Sequence, residues 1–534
     1  MSSQKTSLQL VEQMHPSCNL GDFIQATNLN RGSNLCLIDL TGPVELVLTF
    51  SELEESIRRA VGAFHALGCK RGIRVAVALS NSSAFLIAFL ALMRLGCIPI
   101  LLNFKLNSDT IRFILEDSGA RGILTEPESM PAVAAATFGL HLTLKLAVGG
   151  CPLGWQSWAA VLDETLPLDI VEAMDFDHQA FQPYTAGSTG IPKGIVLTHG
   201  GMLWGIEQSE QYWPRREDER AIVAAPMFHK NAMRGTIKPI LRAGGAVVIM
   251  KEFRPRQFLE AIVRHKVTTC GGVPAMFAQV LKEMDLIDAS DFSSLELISM
   301  GSSTVADELI ERLKKAFPRA VVKEGYGLTE GGAPLRVALD GRKSPRGSVG
   351  MLAPEYEARL VGDSGKISAT SGELHIRSPY VLKEYANRPD LTKERLVDGW
   401  LKTGDLFRVD DEGFYYFIGR NDDMFVCGGE NIYPKEVEGL IMKNSNVAEA
   451  IVVPLPHMSK GHAPAALVVP SPGTVLDVKQ VQDFCAANGP AFAIPRAILV
   501  VDKLPLNGAG KPDVKLAKKM LLDVFGALDS PQNI

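Results

Sequence analysis

The sequence predicts an α/β protein with a large N-terminal domain of βα-layered sheets, a small antiparallel β element, and a smaller mobile α+β C-terminal domain. Its 534 residues exceed the size at which a single core keeps growing, so more than one domain is expected. Short β-branched runs alternate with amphipathic segments over roughly the first four hundred residues, which is typical of parallel sheets covered by helices. After about residue 345 the predicted strands become short and turn-bounded, which indicates antiparallel pairing.

The βα units follow one another along the chain. The run "IRVAVAL" precedes a helical segment at 84–95, "GAVVIM" precedes "PRQFLEAIVRHK", and "LELISMG" precedes "VADELIERLKKAF". The later runs "YEARLVG", "GELHIRS" and "GFYYFIGR" alternate apolar and polar residues, as half-buried antiparallel strands do. These patterns predict the layered sheets and the antiparallel element.

The stretch "GRNDDMFVCGGENIYPKEVEGLI" predicts a junction between domains. A strand ends near Gly419, two acidic residues and two glycines follow, and a helix begins near Pro434. Beyond it "AEAIVVPLP", "AALVVPS", "VQDFCAANG" and "RAILVVD" give an α+β pattern. We therefore expect an N-terminal domain over 1–420 and a C-terminal domain over 421–534.

Composition argues against several classes of partner. A net charge of −5 lacks the basic surface that a nucleic-acid-binding protein needs. The apolar stretch at 84–104 is long enough to cross a bilayer, but Arg94, Gly96 and Pro99 interrupt it, which favours a buried helix, a turn and a strand. The eight scattered cysteines form no C-x-x-C pair, and the N-terminus lacks the pattern of a signal peptide. A cytoplasmic location without a membrane span is the expectation, and no segment indicates an oligomeric state.

The run "YTAGSTGIPKGIVLTHG" at 184–200 predicts a phosphate-binding loop. It is not a Walker A loop, because Pro192 precedes Lys193, Gly194 follows it, and a β-branched run replaces the expected helix. The loop should therefore join two strands and bind phosphate through backbone N–H groups, the lysine and side-chain hydroxyls. The hydroxyls are those of Thr185, Ser188 and Thr189. Taken alone, the run also fits a hairpin turn that binds nothing.

Four separated stretches agree in order and spacing with one family. They are "YTAGSTGIPKG", "EGYGLTE" at 324–330, "WLKTGDLFRVDDEGFYYFIGRNDDM" at 400–424, and "PLNGAGK" at 505–511. Together the chain resembles the adenylate-forming superfamily of acyl-CoA synthetases, adenylation domains and firefly-type luciferases over roughly residues 35–520.

The resemblance implies a nucleotide site. Tyr326 would stack on adenine, Thr329 would contact the α-phosphate, Glu330 would hold Mg²⁺, Asp405 would bind both ribose hydroxyls, and Arg420 would contact the ribose–phosphate side. A hard cation prefers oxygen ligands, so the carboxylate suits Mg²⁺. The remaining residues implied at this site are Thr185, Ala186, Gly187, Ser188, Thr189, Gly190, Lys193, Ser302, Glu324, Gly325 and Gly327.

The resemblance also implies a mobile C-terminal domain with two orientations. In the first, Lys511 would bridge the carboxylate and the phosphate during adenylation, and Asp422 would be the hinge. In the second, Gly428 and Gly429 of "CGGEN" would support the channel for the pantetheine thiol of coenzyme A.

The acyl group is the least determined part of the prediction. The segment "APMFHKNAM" assigns His229 a place between the carboxylate and the thiol channel, although a lone histidine is as often structural. The candidate pocket residues are His229, Asn231, Val273, Met276, Gly301, Ser302 and Leu328. This set favours an aryl or short-to-medium acid. Lys230 or Arg234 could instead bind a second polar group on the substrate, with a solvated side chain as the alternative.

Departures from the family pattern affect the substrate more than the chemistry. Gly201 replaces a common Asn, Glu324 replaces a common amide residue, and "SMGSS" at 299–303 replaces a "GGAP"-like run. Conversely, retention of Lys193, Glu330 and Lys511 argues against a catalytically silent CoA- or nucleotide-binding regulator.

The sequence therefore predicts an ATP-dependent, AMP-forming acyl-CoA synthetase that uses ATP, Mg²⁺ and coenzyme A on a small carboxylic acid. An adenylating ligase that loads a carrier protein and a luciferase-like oxygenase remain the alternatives within the enzymes.

Overall fold

A computed structural model describes residue 11 and residues 13–24, 30–185, 191–229, 232–301, 305, 307–337, 342–362, 364–507 and 511–528. The α-helices span Phe50–Ala66, Ser83–Arg94, Ser108–Ser118, Met130–Thr137, Trp158–Glu164, His199–Tyr212, Lys238–Ala243, Pro255–Arg264, Pro274–Val280, Met284–Ala289, Asp307–Ala316, Pro389–Arg395, Pro434–Ile441, Val478–Asn488 and Val514–Phe525. A π-helix spans Met233–Ile237, and 3₁₀ turns span Leu20–Asp22, Asn421–Asp423 and Ala491–Ala493.

The first sheet contains the phosphate-loop strands at one side. Its strands lie in the order Glu384–Tyr385, Lys193–Thr198, Gln179–Thr185, Ile98–Leu101, Arg74–Ala78, Gly122–Thr125, Leu144–Ala147 and Gln156–Ser157. From Gln179–Thr185 to Gln156–Ser157 neighbouring strands are parallel, as the βα pattern predicts. At the phosphate-loop side, Lys193–Thr198 pairs antiparallel with both Gln179–Thr185 and Glu384–Tyr385.

The apolar stretch at 84–104 forms a buried helix and a buried strand, as predicted. Ser82 caps the helix by accepting a hydrogen bond from the backbone N–H of Phe85. Arg94 is 1% exposed and donates to both carboxylate oxygens of Glu54, at 2.6 and 2.7 Å. The charge that interrupts the stretch is thus paired inside the protein. Across the part of the chain that is described, no helix combines the length and apolar character that crossing a bilayer requires.

The second sheet contains both parallel strands and the predicted antiparallel element. Its strands lie in the order Ile367–Ser368, Glu357–Val361, Ser371–Arg377, Trp400–Val409, Phe414–Arg420, Gly350–Leu352, Gly332–Arg336, Val321–Leu328, Leu297–Gly301, Thr269–Gly272, Arg220–Val223, Ala246–Ile249, Leu35–Asp39 and Leu46–Thr49, and Leu396–Val397 pairs with Trp400–Val409. The sheet changes character at Val321–Leu328, which pairs parallel with Leu297–Gly301 and antiparallel with Gly332–Arg336.

The C-terminal part forms its own sheet and core. The strands lie in the order Glu430–Ile432, Phe425–Cys427, Gly461–Pro470 and Val447–His457, and Ala497–Val500 pairs with Gly461–Pro470. Its buried apolar residues, from Phe425 to Leu528, form one cluster. The helix predicted near Pro434 begins at that residue. The predicted boundary at 420 falls at the turn Asn421–Asp423, and the division into domains stays a prediction.

Candidate active site

The phosphate loop connects two strands, which confirms the reason for rejecting a Walker A loop. Gln179–Thr185 and Lys193–Thr198 pair antiparallel, with Thr185 opposite Lys193. The side chains of Thr185 and Lys193 therefore lie beside each other where the two strands meet the loop. The predicted loop residues Ala186, Gly187, Ser188, Thr189 and Gly190 lie outside the described residues.

The second motif lies where the large sheet changes from parallel to antiparallel. Strand Val321–Leu328 contains Tyr326, and Thr329 and Glu330 follow in the turn. The centroid of the Tyr326 ring lies 4.8 Å from the centroid of the Phe407 ring, and the Tyr326 hydroxyl donates a hydrogen bond to Asp405. The motif "EGYGLTE" therefore contacts the motif at 400–424.

Tyr385 holds the carboxylate of Glu330 from a neighbouring segment. Its hydroxyl donates to Oε1 at 3.4 Å, and the backbone oxygen of Glu330 accepts from the N–H of Leu382 at 2.7 Å. Tyr385 was not among the predicted site residues, because it belongs to no motif and lies 55 residues from its partner. The predicted residues Glu324, Gly325 and Gly327 lie on the preceding strand.

Asp405 and Arg420 face each other across an antiparallel pair. They are register partners on Trp400–Val409 and Phe414–Arg420, and Nε of Arg420 lies 3.6 Å from Oδ1 of Asp405. Asp405 is 6% exposed, and burial raises its pKa to about 6 against the opposing effects of Arg420 and the Tyr326 hydroxyl. A carboxylate with this setting has two acceptor oxygens suited to a pair of hydroxyls.

Lys511 approaches the same cluster from the C-terminal part. Its pKa is lowered, first by burial and then by Arg420, while Glu330 and Asp405 favour the protonated form. Locally its backbone N–H donates to Oδ1 of Asn507 at 3.1 Å, which holds the lysine at the base of its loop. The structure therefore brings four of the predicted residues into one electrostatic cluster, although they come from three separated motifs.

The predicted hinge residue is paired with two arginines. Oδ2 of Asp422 lies 3.5 Å from Nη2 of Arg395 and 3.9 Å from Nη2 of Arg420. Arg395 was not among the predicted site residues, because its helix lies outside the motifs. Gly428 and Gly429 form the turn between Phe425–Cys427 and Glu430–Ile432, with φ of +60° and +96°, as a tight hairpin with two left-handed residues requires.

The predicted acyl-pocket residues lie around the carboxyl ends of the central parallel strands. Gly301 ends one strand, Val273 and Met276 follow the next, and Leu328 ends the strand that leads into the second motif. His229 lies before the π-helix, and its N–H donates to Pro226 at 3.0 Å. Asn231 and Ser302 lie outside the described residues, as does Lys230.

The donor set at Glu330 fits a magnesium ion shared with a nucleotide. Among the described residues no group of three or more His, Cys, Asp or Glu side chains could enclose a metal. Mg²⁺ does not need such a cage, because it keeps several waters and binds through one or two carboxylates plus substrate phosphates. Glu330 supplies one such carboxylate.

The raised pKa of Asp405 predicts a pH dependence of ATP binding. As pH falls through about 6 the carboxyl takes up a proton and loses its charge-assisted hydrogen bonds, so KM for ATP should rise towards acid and be constant above about pH 7. Asp405→Asn should raise KM by about 10- to 100-fold, since hydrogen bonds to charged groups contribute ~1.5–3 kcal/mol. The measurement is KM for ATP between about pH 5 and 8. A wild-type pH dependence retained in the variant would show that another group titrates.

Comparisons with known proteins identify the family of the chain. A family model described as AMP-binding enzyme matches residues 30–386, and one described as AMP-binding enzyme C-terminal domain matches residues 436–511. A feruloyl-CoA synthase from Amycolatopsis sp is 33% identical over 87% of this chain and 92% of its own. A long-chain-fatty-acid–CoA ligase from Mycobacterium tuberculosis is 31% identical over 90% of this chain and 93% of its own. The crystal structure of ATP-bound MatB from Rhodopseudomonas palustris is 26% identical, with a TM-score of 0.86 over 95% of this chain and 99% of its own.

Proposed function

The chain belongs to the AMP-binding enzyme family, and from that premise we propose that it is an ATP-dependent, AMP-forming acyl-CoA synthetase. In the first step a carboxylate oxygen attacks the α-phosphorus of ATP, which gives acyl-adenylate and releases pyrophosphate. In the second step the thiol of coenzyme A attacks the acyl carbon, which gives the thioester and releases AMP. The observation that carries the proposal is the cluster of Glu330, Asp405, Arg420 and Lys511.

Each side chain of the cluster has a role in the first step. Asp405 binds the ribose hydroxyls, and Arg420 beside it neutralises charge on the ribose–phosphate side. Thr185, Lys193 and the loop between them bind the β- and γ-phosphates, and Thr329 binds the α-phosphate. Glu330, oriented by Tyr385, would hold Mg²⁺. The ion supplies positive charge that neutralises the phosphate oxygens.

Lys511 acts where negative charge develops. Its ammonium reaches the cluster from the C-terminal part, so it can bind the attacking carboxylate and the α-phosphate together. Preorganised charge of this kind is worth more in a site that excludes water than in solvent. The lowered pKa of Lys511 is consistent with such burial.

The second step requires the C-terminal part to turn about Asp422. In the orientation described here Asp422 pairs with Arg395 and Arg420, and turning must break these contacts. Gly428 and Gly429 then line the channel for the thiol, where a backbone without side chains leaves room. His229 lies between the carboxylate and this channel.

The named relatives and the candidate pocket indicate which class of acid is the substrate. Named relatives act on an aryl acid and on long-chain fatty acids. The glycine and apolar residues of the candidate pocket favour an aryl or short-to-medium acid.

No disulfide joins the eight cysteines, all of which lie in the described part of the chain, and this supports a reducing compartment such as the cytoplasm.

The identity of the products tests the proposed function. Pyrophosphate release should require both a carboxylic acid and Mg²⁺, and AMP should be the nucleotide product. Free coenzyme A should release AMP from the acyl-adenylate, whereas a carrier-loading ligase would require a phosphopantetheinylated protein. Formation of ADP and phosphate would contradict the proposal, because the loop would then serve transfer of the γ-phosphoryl group.

A further inference from the structure

One face of the central sheet is lined by very small residues. In the parallel registers Gly271 lies opposite Ser299, Ser299 opposite Lys323, and Gly301 opposite Gly325. Register partners on parallel strands point to the same side of a sheet, as do residues two apart on one strand. These five residues therefore share a face, and Lys323 is the long side chain among them.

The π-helix lies over this face and leaves space beside it. An added Cβ at Gly271 would lie 3.7 Å from Oγ1 of Thr236, so Thr236 faces the small residues. π-Helical turns are frequent at functional sites. Among the described residues, an added Cβ at Gly301 or Gly325 would meet only a backbone oxygen of the neighbouring strand, at 3.3 Å, so no described side chain fills the space beside these two glycines. Gly301 is also a predicted acyl-pocket residue.

Positive side chains stand at the far end of this space. Lys323 lies two residues before Gly325, about 7 Å further from the reacting end at the strand rise of ~3.3 Å per residue. Its Nζ lies 3.6 Å from the ring centroid of Trp213. Burial, together with Arg215 and Arg336, lowers the pKa of Lys323 to about 7. The charged form of Lys323 is therefore disfavoured at this position, although Glu219 opposes the shift.

Two arginines extend the positive end. The guanidinium of Arg336 lies 4.0 Å from the ring of Tyr212, and burial together with Arg234 lowers its pKa to about 10. The guanidinium of Arg234, on the π-helix, lies 5.4 Å from the ring of Tyr380. The Nε atoms of both arginines are buried and donate to no group among the described residues.

Carboxylates compensate only part of this charge. Glu355 pairs with Arg336, and Glu219 pairs with Arg215 at 2.9 Å. Glu219 also favours the charged form of Lys323, and Arg234 has a side-chain hydrogen bond with Tyr380. The Nε atoms of Arg234 and Arg336 are the buried donors that remain for a further anion. Buried charges are normally paired, because an isolated one loses its hydration without replacement. The missing partner is therefore an anion that enters with the ligand.

We propose, on the basis of the proposed synthetase function, that the acid activated here carries a second carboxylate at the end remote from the reacting one, and that Lys323, Arg336 and Arg234 bind it. The small residues of the shared face accommodate the chain or ring that joins the two carboxylates. Arginine suits this role because its planar fork matches a carboxylate in a bidentate pair.

Paired acids test this inference. Pyrophosphate release would be measured with octanoate against octanedioate and with cinnamate against 4-carboxycinnamate. We expect the diacid of each pair to have the larger kcat/KM. Arg336→Met and Lys323→Met should lower the diacid-to-monoacid ratio by about 10- to 100-fold, as expected for a lost hydrogen bond to a charged group. Arg336→Lys, which keeps the charge, should retain part of the preference.

Lys314→Met is the matched control, because Lys314 is a solvent-exposed lysine paired with Glu311 on the helix Asp307–Ala316. It should leave the ratio unchanged. Equal kcat/KM values for diacid and monoacid in the wild-type protein would overturn the inference even if the variants failed to fold. Release with monoacids alone would overturn the inference but keep the proposed function. Absence of release with every acid would overturn the proposed function and this inference with it.

Discussion

Lys511→Ala is expected to slow acyl-adenylate formation by about 10²–10³-fold while leaving thioester formation near the wild-type rate. In the orientation described here the ammonium lies within the electrostatic reach of Glu330, Asp405 and Arg420. It would neutralise charge that builds between the carboxylate and the α-phosphate only near the transition state. Losing one preorganised donor of this kind costs ~3–4 kcal/mol.

The two half-reactions can be measured separately. Adenylation is followed by acid-dependent pyrophosphate release, and thioester formation by mixing supplied acyl-adenylate with coenzyme A. Once acyl-adenylate exists, the C-terminal part is expected to have turned and carried Lys511 away from the cluster, so the second rate should scarcely change.

Lys515→Ala provides the control for this experiment. Lys515 is an exposed lysine four residues further along the chain, on the helix Val514–Phe525, so the variant removes a nearby charge outside the cluster. It should leave both half-reactions intact. If Lys511→Ala lowered the rates of both half-reactions equally, the expectation that the C-terminal part turns between them would be wrong.

Local sequence patterns were sufficient for most of the elements, and the structure brings several of the predicted site residues close together. The β-branched run at 193–198 identified a strand after the glycine-rich loop, and its pairing with 179–185 confirms that reading. Asp405 and Arg420 were assigned from separate short motifs, and the register of their strands makes them neighbours. Motifs carry such information because the chemistry fixes both residue type and spacing.

Long-range contacts could not be predicted from local sequence patterns in the same way. The sequence predicted a small antiparallel element but did not show that it continues the parallel sheet through Val321–Leu328, since pairing depends on a partner that the local pattern does not name. Tyr385 and Arg395 hold Glu330 and Asp422, but each lies outside the motifs. Lys323, between Val322 and Glu324 in its strand, gave no sign that its ammonium would lie over the ring of Trp213.

The turn that contains Gly428 and Gly429 connects backbone conformation with the second half-reaction. Gly429 has φ of +96°, a conformation that costs other L-residues roughly 1–2 kcal/mol, and a Cβ there would meet no atom within 4 Å. In this orientation the space beside Gly429 is therefore open. After the C-terminal part turns, we expect the same space to be occupied by the pantetheine chain.

Gly429→Trp is accordingly expected to produce the reverse of the Lys511→Ala pattern. The indole should displace the thiol from the acyl carbon, and a misplacement of about 1 Å can already cost about 10²-fold, so thioester formation from supplied acyl-adenylate should fall by at least that factor. Pyrophosphate release should persist, because the side chain points into open space in the adenylating orientation. Gly429→Ala carries the backbone strain with little bulk, so its effect on each half-reaction measures strain alone. If the tryptophan variant lost adenylation as severely as thioester formation, or if alanine and tryptophan behaved alike, Gly429 would have a role in folding the turn and not in admitting the thiol.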